Sequence, residues 1–154
     1  MEATQEKVRS LWVPLRGMSL LVPSAAVMEI GSYHAPRPCQ GVPDWFLGMF
    51  NWRDREIPVV SMESLCGLPY SSNPVFSRLM VVNSVRADSA VENYAIVTAG
   101  LPGLVQLDSD MVDEVNTYVK EGLKCMIRFG NEEAAIPDLD YLQDLLEQLS
   151  AAAA

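Results

Sequence analysis

The sequence predicts a mainly β protein made of two similar small barrels, each closed by a short helix, and three observations carry that reading. Short apolar runs rich in β-branched residues recur between glycines and prolines, which is strand spacing and not helix spacing. A strand that ends in a capping side chain and turns into a helix occurs twice: Val59, Ser61, Met62 and Leu65 match Ile136, Asp138, Leu139 and Leu142 in type and spacing. The composition, 49% hydrophobic and 20% charged over 154 residues, is that of a globular chain able to bury a core, as one domain or two subdomains sharing it. Closing each sheet removes the free strand edges that would otherwise invite aggregation.

In chain order, Leu11 to Leu15 and Met18 to Val22 flank Arg16-Gly17 and read as a β-hairpin. Pro23-Ser24 supplies a helix start, so Ala25 to Ile30 is expected to be a short helix capped by Ser24. Residues 31–44 contain Gly31, Pro36, Pro38, Gly41 and Pro43 and read as a loop. Trp45 to Trp52 is the next strand, Arg53 to Glu56 a polar turn, and Ile57 to Val60 a strand whose Pro58 calls for an edge or a strand start. Ser61 then caps a helix that carries Met62 and Leu65 on one face and stops at Gly67 and Pro69. After a loop at Tyr70 to Ser77, strands are expected at Leu79 to Val85, Tyr94 to Ala99, Leu104 to Leu107, Leu123 to Phe129 and Ala134 to Ile136. Pro137-Asp138 opens a final helix with Leu139, Leu142, Leu145, Leu146 and Leu149 on its face. Ala151 to Ala154 reads as a frayed tail outside the fold.

The net charge is −9, and it sits mainly after residue 107. An acidic chain is repelled by phosphate backbones and anionic lipid, which argues against nucleic-acid and membrane-surface binding. Cys39, Cys66 and Cys125 are odd in number and widely spaced, so reduced thiols in a cytoplasmic protein are expected, with no metal site. Met1 to Ser10 is charged and the apolar stretch after it is broken by Pro14, Arg16 and Pro23, so neither a signal peptide nor a spanning helix is expected.

Catalytic patterns are missing as well. His34 is the one histidine, with no Gly-x-Ser-x-Gly elbow to partner it, and reads as an exposed loop side chain. Asp108, Asp110, Asp113 and Glu114 lack the glycine and glutamate of a calcium loop and read as a solvated acidic segment. No phosphate-cradling glycine motif occurs. What the chain does offer is Trp45, Phe46, Phe50 and Trp52 beside Arg53 and Arg55, the residue types that dominate protein interfaces, with only some of the aromatics expected to be exposed.

The stretch from Val27 to Gly67 resembles the CheW family of chemotaxis coupling proteins. Val27-Met28-Glu29-Ile30 resembles its Val-x-Glu-Ile element, Leu47 to Arg53 its Gly-x-x-Asn-x-Arg-Gly, and Ile57-Pro58-Val59-Val60-Ser61-Met62 with Leu65 its Ile-Pro-Val-Val-Asp-Leu and following helix. A weaker likeness continues from Leu79 to Leu146. The resemblance implies two interlocked five-stranded β-barrels with short helices, including a C-terminal helix, in a single CheW-like domain over residues 1–154. It divides the chain into a subdomain of roughly 11–70 and a second of roughly 78–149, with strands exchanged between them. It further implies no active site, no cofactor and no metal; the partners are a CheA-like histidine kinase and a methyl-accepting chemoreceptor. The partner-binding residues carried over are Glu29, Asn51 and Arg53, near the junction of the barrels, with Glu29 expected to hold Arg53 by an ion pair.

Three departures stand out. Asp54 replaces the family's usual glycine, Ser61 its capping aspartate, and Val97-Thr98-Ala99-Gly100 its Val-Asp-x-Val. Such a divergent, short member looks like the auxiliary adaptors of type IV pilus (twitching motility) chemosensory systems. The alternative reading is a small-molecule-binding or nucleic-acid-binding β-barrel of unrelated function.

Overall fold

The computed structural model describes residues 7–115 and 119–153; residues 1–6 of the charged N-terminal segment and Ala154 of the alanine tail lie outside that range. The strands are β1 (Lys7–Pro14), β2 (Ser19–Pro23), β3 (Val27–Ser32), β4 (Phe46–Trp52), β5 (Arg55–Val60), β6 (Arg78–Asn83), β7 (Asn93–Thr98), β8 (Gly103–Asp108), β9 (Asp113–Val115), β10 (Leu123–Phe129) and β11 (Glu132–Pro137). Two α-helices, α1 (Met62–Leu65) and α2 (Leu139–Ala153), follow β5 and β11. The protein is mainly β, with two sheets and few helices. No helix among the described residues is long and apolar enough to cross a membrane.

One sheet has six strands in the order β8-β1-β2-β11-β10-β9, the other five in the order β3-β6-β7-β5-β4. The first five strands of the six-stranded sheet repeat the plan of its neighbour: two antiparallel pairings, one parallel pairing and one antiparallel hairpin, in that order. Two five-stranded units are therefore present, and β9 is an addition to one of them. Sheet membership crosses residue 70. β3 to β7 form one sheet, while β1 and β2 join the C-terminal strands in the other.

The repeat read from the caps extends through the hairpins. β4 and β10 carry register shifts at equivalent places, between Phe46 and Gly48 and between Leu123 and Cys125; Met49 then faces Pro58 as Met126 faces Ala135. Both helices begin with the same device. The Ser64 N–H donates to Ser61 Oγ at 3.1 Å, and the Tyr141 N–H to Asp138 Oδ1 at 3.0 Å. Each cap satisfies a first-turn donor that the helix itself leaves open.

A central core joins the two sheets: Val13, Leu20 and Val22 pack with Val60, Met80, Val82, Tyr94 and Ile96, and with Leu142 and Leu146 of α2. On the far face of the five-stranded sheet, Trp52, Ile57, Val59, Leu79, Val81, Ala95 and Val97 form a second cluster. β7 is consequently buried on both faces along its whole length. Glu63 ties the sheets at α1. Its carboxylate, 1% exposed, accepts from the Arg16 N–H of the β1–β2 turn at 3.1 Å and from Ser61 Oγ at 3.4 Å.

Several local expectations are corrected. Only Ser24–Ala26 is helical, a 3₁₀ turn whose N-cap is Pro23 with no side-chain bond; Val27–Ser32 is a strand because β-branched Val27 and Ile30 pair with β6. The polar turn is two residues, Arg53 and Asp54, and Arg55 and Glu56 already belong to β5. Pro58 lies in an interior strand, where it is tolerated because the ladder with β7 begins only at Val59. The acidic segment contains β9, and Ala151 to Ala153 continue α2.

Candidate functional site

The site is built on the β4–β5 hairpin. Its two-residue turn has positive φ at both central positions, 48° at Arg53 and 63° at Asp54, which is the backbone that matches the twist of paired strands. Asp54 thus adopts the left-handed conformation without the glycine that the sequence pattern calls for. Turning there directs the Arg53 guanidinium back over the Trp52 ring, with its central carbon 4.6 Å from the ring centroid. Trp52 itself is only 5% exposed and rests in the far-face cluster, so the cation sits on a fixed platform.

Glu29 completes the arrangement from β3. One carboxylate oxygen accepts from Arg53 Nη2 at 2.9 Å, and the other from Trp52 Nε1 at 3.4 Å. Because β3 and β4 are the two edges of the five-stranded sheet, these bonds bridge its open seam through side chains. Both charged side chains stay accessible, Arg53 at 59% and Glu29 at 42%, so the pair is screened by water and contributes little to folding, about 0 to 1 kcal/mol. The expected Glu29–Arg53 ion pair is therefore present, and it leaves most of the Arg53 donors pointing outward.

Asn51 is exposed on the same edge and lines a groove of about 310 Å³ together with Glu29, Gly31, Ser32, His34, Phe50 and Arg53. Glu29, Asn51 and Arg53 are thus brought together as the sequence suggests. Their placement differs from expectation in one respect: the groove is lined by the five-stranded sheet and the segment leaving it, not by the junction of the two sheets. His34 is exposed, as expected, and stacks on Phe50 with ring centroids 5.9 Å apart. Of the four clustered aromatics, Trp52 is buried and Trp45, Phe46 and Phe50 are half-buried.

Sequence reasoning named Trp52 and Arg55 among the interface residue types but not the parts they play. Trp52 is the support of the arginine and not a contact surface, a role that only its burial reveals. Arg55 leaves the same turn and donates to Glu92 and to Asn93 Oδ1, the latter at 2.7 Å, which ties the hairpin to the start of β7. A larger groove of about 850 Å³ opens beside it between residues 39–42, β4–β5 and the end of α2. Its charged members Arg55, Glu56 and Glu92 are already engaged in ion pairs.

Two of the thiols, Cys66 and Cys125, are held in their protonated form. Burial pushes Cys66 up to about 11 and also raises Cys125, the opposite of the depression that makes a cysteine nucleophilic. Among the described residues, no group of three or more His, Cys, Asp or Glu side chains is placed to hold a metal ion.

Comparisons with known proteins agree with this architecture. The structure is similar to that of the scaffolding protein TtCheW from Thermoanaerobacter tengcongensis, with a TM-score of 0.73 over 87% of this chain and 90% of that one. At 12% sequence identity the likeness is one of fold. No curated protein sequence matches the chain. The family model described as the CheW-like domain matches residues 9–146, nearly the whole described chain, and the protein accordingly belongs to the CheW-like domain family.

Proposed function

We propose that this protein is a non-enzymatic cytoplasmic adaptor of bacterial chemosensory signalling, which couples methyl-accepting chemoreceptors to a CheA-like histidine kinase. One observation carries the reading: a guanidinium held on a buried tryptophan by Glu29, exposed to solvent with most of its donors unspent. A fixed fork of this kind suits a carboxylate or a row of backbone carbonyls on another protein, because little conformational freedom is lost when it binds. Family membership and the scaffolding role of TtCheW support the same reading. The departures at Asp54 and at Val97 to Gly100 favour an auxiliary adaptor, with type IV pilus motility as its proposed output. The small-molecule alternative draws on the 850 Å³ groove and is weakened by the pairing of its charged groups.

The test is co-purification with the neighbouring kinase and receptor, repeated with Arg53→Ala and Glu29→Gln. Losing an interface arginine costs on the order of 2 kcal/mol or more, so binding should weaken tens of fold for Arg53→Ala. Wild-type retention of both partners by a folded Arg53→Ala protein overturns the assignment.

A further inference from the structure

The two sheets share one plan but differ at one edge. In the six-stranded sheet, β9 covers the outer edge of β10 in antiparallel register, with Val115 facing Met126, Glu114 facing Ile127 and Asp113 facing Arg128. On β4, Met49 holds the position of Met126, and Arg37 takes the place of Val115 there. The Arg37 N–H donates to the Met49 carbonyl at 2.8 Å, and the Met49 N–H to the Arg37 carbonyl at 2.9 Å. The equivalence ends at that single bridge. Pro36 comes next, and a φ fixed near about −65° is far from that of an antiparallel strand, so the segment leaves the edge where β9 continues.

The consequence falls on Asn51. Since Met49 turns its N–H and C=O outward to Arg37, strand alternation turns those of Asn51 outward too, and no hydrogen bond to them is present among the described residues. This open stretch, Phe50 to Trp52, is one wall of the 310 Å³ groove, with Gly31 and Ser32 among the residues that also line it. Its charge also suits an acidic strand. The counterpart of Asp113 would face Asn51, and Arg53 stands two residues on, at the end of the open stretch, with only its Nη2 engaged by Glu29.

We propose that the outer edge of β4 at Phe50–Trp52, beyond the Arg37 bridge, receives a short extended acidic segment of a partner protein as an added antiparallel strand, which faces Phe50 and Asn51 as Glu114 and Asp113 face Ile127 and Arg128, with its carboxylate opposite Asn51 and within reach of Arg53. Main-chain bonds to Asn51 supply the affinity and Arg53 the selectivity, as in other strand-addition modes. The identity of the partner rests on the adaptor reading; the open edge itself does not.

A capped peptide copying residues 111–114, Met-Val-Asp-Glu, which stops short of the Arg37 bridge, serves as the probe in an amide NMR titration of the full chain. Dose-dependent shifts at Phe50 to Arg53 and at Gly31 and Ser32 are expected. Binding should weaken at least tenfold when both acids of the peptide are replaced by lysine. The same loss is expected for Asn51→Pro, which removes the outward-facing donor and also constrains φ, so that its unchanged β5 amide shifts must accompany the loss, and for Pro36→Val, which lets the chain's own segment cover the edge. Asn51→Ala, which keeps the backbone donor, should bind as wild type. Absence of shifts, shifts at Met126 to Arg128 instead, equal binding of the lysine peptide, or self-association covering the same amides would each overturn the proposal. The two readings fail separately. Silent peptides with partner loss in Arg53→Ala sink strand addition alone, while peptide binding with unchanged partner capture in Arg53→Ala sinks the adaptor reading alone.

Discussion

The β4–β5 and β10–β11 hairpins have the same register, the same bulge and the same capped helix behind them, yet only one carries the candidate site. At the second turn, Gly130 takes the positive φ of 58° that Arg53 takes at the first, and Phe129 packs edge-on against Trp12 at 5.2 Å where Trp52 carries a guanidinium. The second hairpin is covered along its edge by β9; the first is covered at one residue only. Two copies of one plan have thus parted, one toward an ordinary closed edge and the other toward a strained, charged and open one. Departure from the locally comfortable choice is where a site is expected.

The largest effect expected from breaking the comparison is at Gly48, whose equivalent in β10 is Cys125. A Cβ at Gly48 would lie 2.2 Å from the Arg37 carbonyl oxygen, at a φ of 144° that side chains rarely adopt. Gly48→Ala should therefore cost about 3 kcal/mol or more, or expel the Arg37 segment, while Cys125→Ala should cost under about 1 kcal/mol, both read by chemical denaturation.

Glu63 and its counterpart Asp140 give the next contrast, since the first is buried and the second exposed. Glu63→Ala leaves the Arg16 N–H without its acceptor and should cost about 1 to 3 kcal/mol, with Asp140→Ala near neutral. Burial raises the Glu63 pKa above the ordinary carboxylate range, against the pull of the Arg16 N–H. The folded state therefore holds this proton more tightly than the unfolded one. Its contribution is fully present at and below the ordinary carboxylate pKa and is lost as pH rises through the raised value. Denaturation midpoints measured across that window should fall with rising pH in the wild type, and this component should vanish in Glu63→Gln.

Smaller effects sharpen the turns. Asp54→Gly should stabilise by about 1 kcal/mol by relieving a left-handed aspartate, and Gly130→Ala should destabilise by about the same amount. Smallest of all, Arg53→Ala should change folding stability by at most about 1 kcal/mol, because its partner is exposed, even where partner binding collapses. A large stability loss in that variant would make Arg53 a structural residue and close the gap between the two hairpins.

Much of this was legible in the chain. Short apolar runs between glycines and prolines located most of the strands, the two caps located both helices, and their likeness pointed to a repeated unit. The Glu29–Arg53 pair was legible only through a family motif, because nothing in spacing says that residues so far apart will bridge a sheet seam. Val27–Ser32 misled because a proline and a serine announce a helix that three residues later yields to pairing with β6. β9 was invisible: Asp113-Glu114-Val115 is too short and too charged to read as a strand, and it forms because β10 offers it an edge.

The sequence alone determined the class of the fold, the helix starts and the residue types available for binding, since these depend on local periodicity and on capping chemistry within a few residues. Tertiary structure alone decided which strands share a sheet, that Trp52 would be a buried support, and that the edge of β4 would stay open while that of β10 was covered. Those outcomes depend on long-range pairing, where a strand's neighbours are chosen by the surfaces other segments leave exposed, and no local pattern encodes that choice.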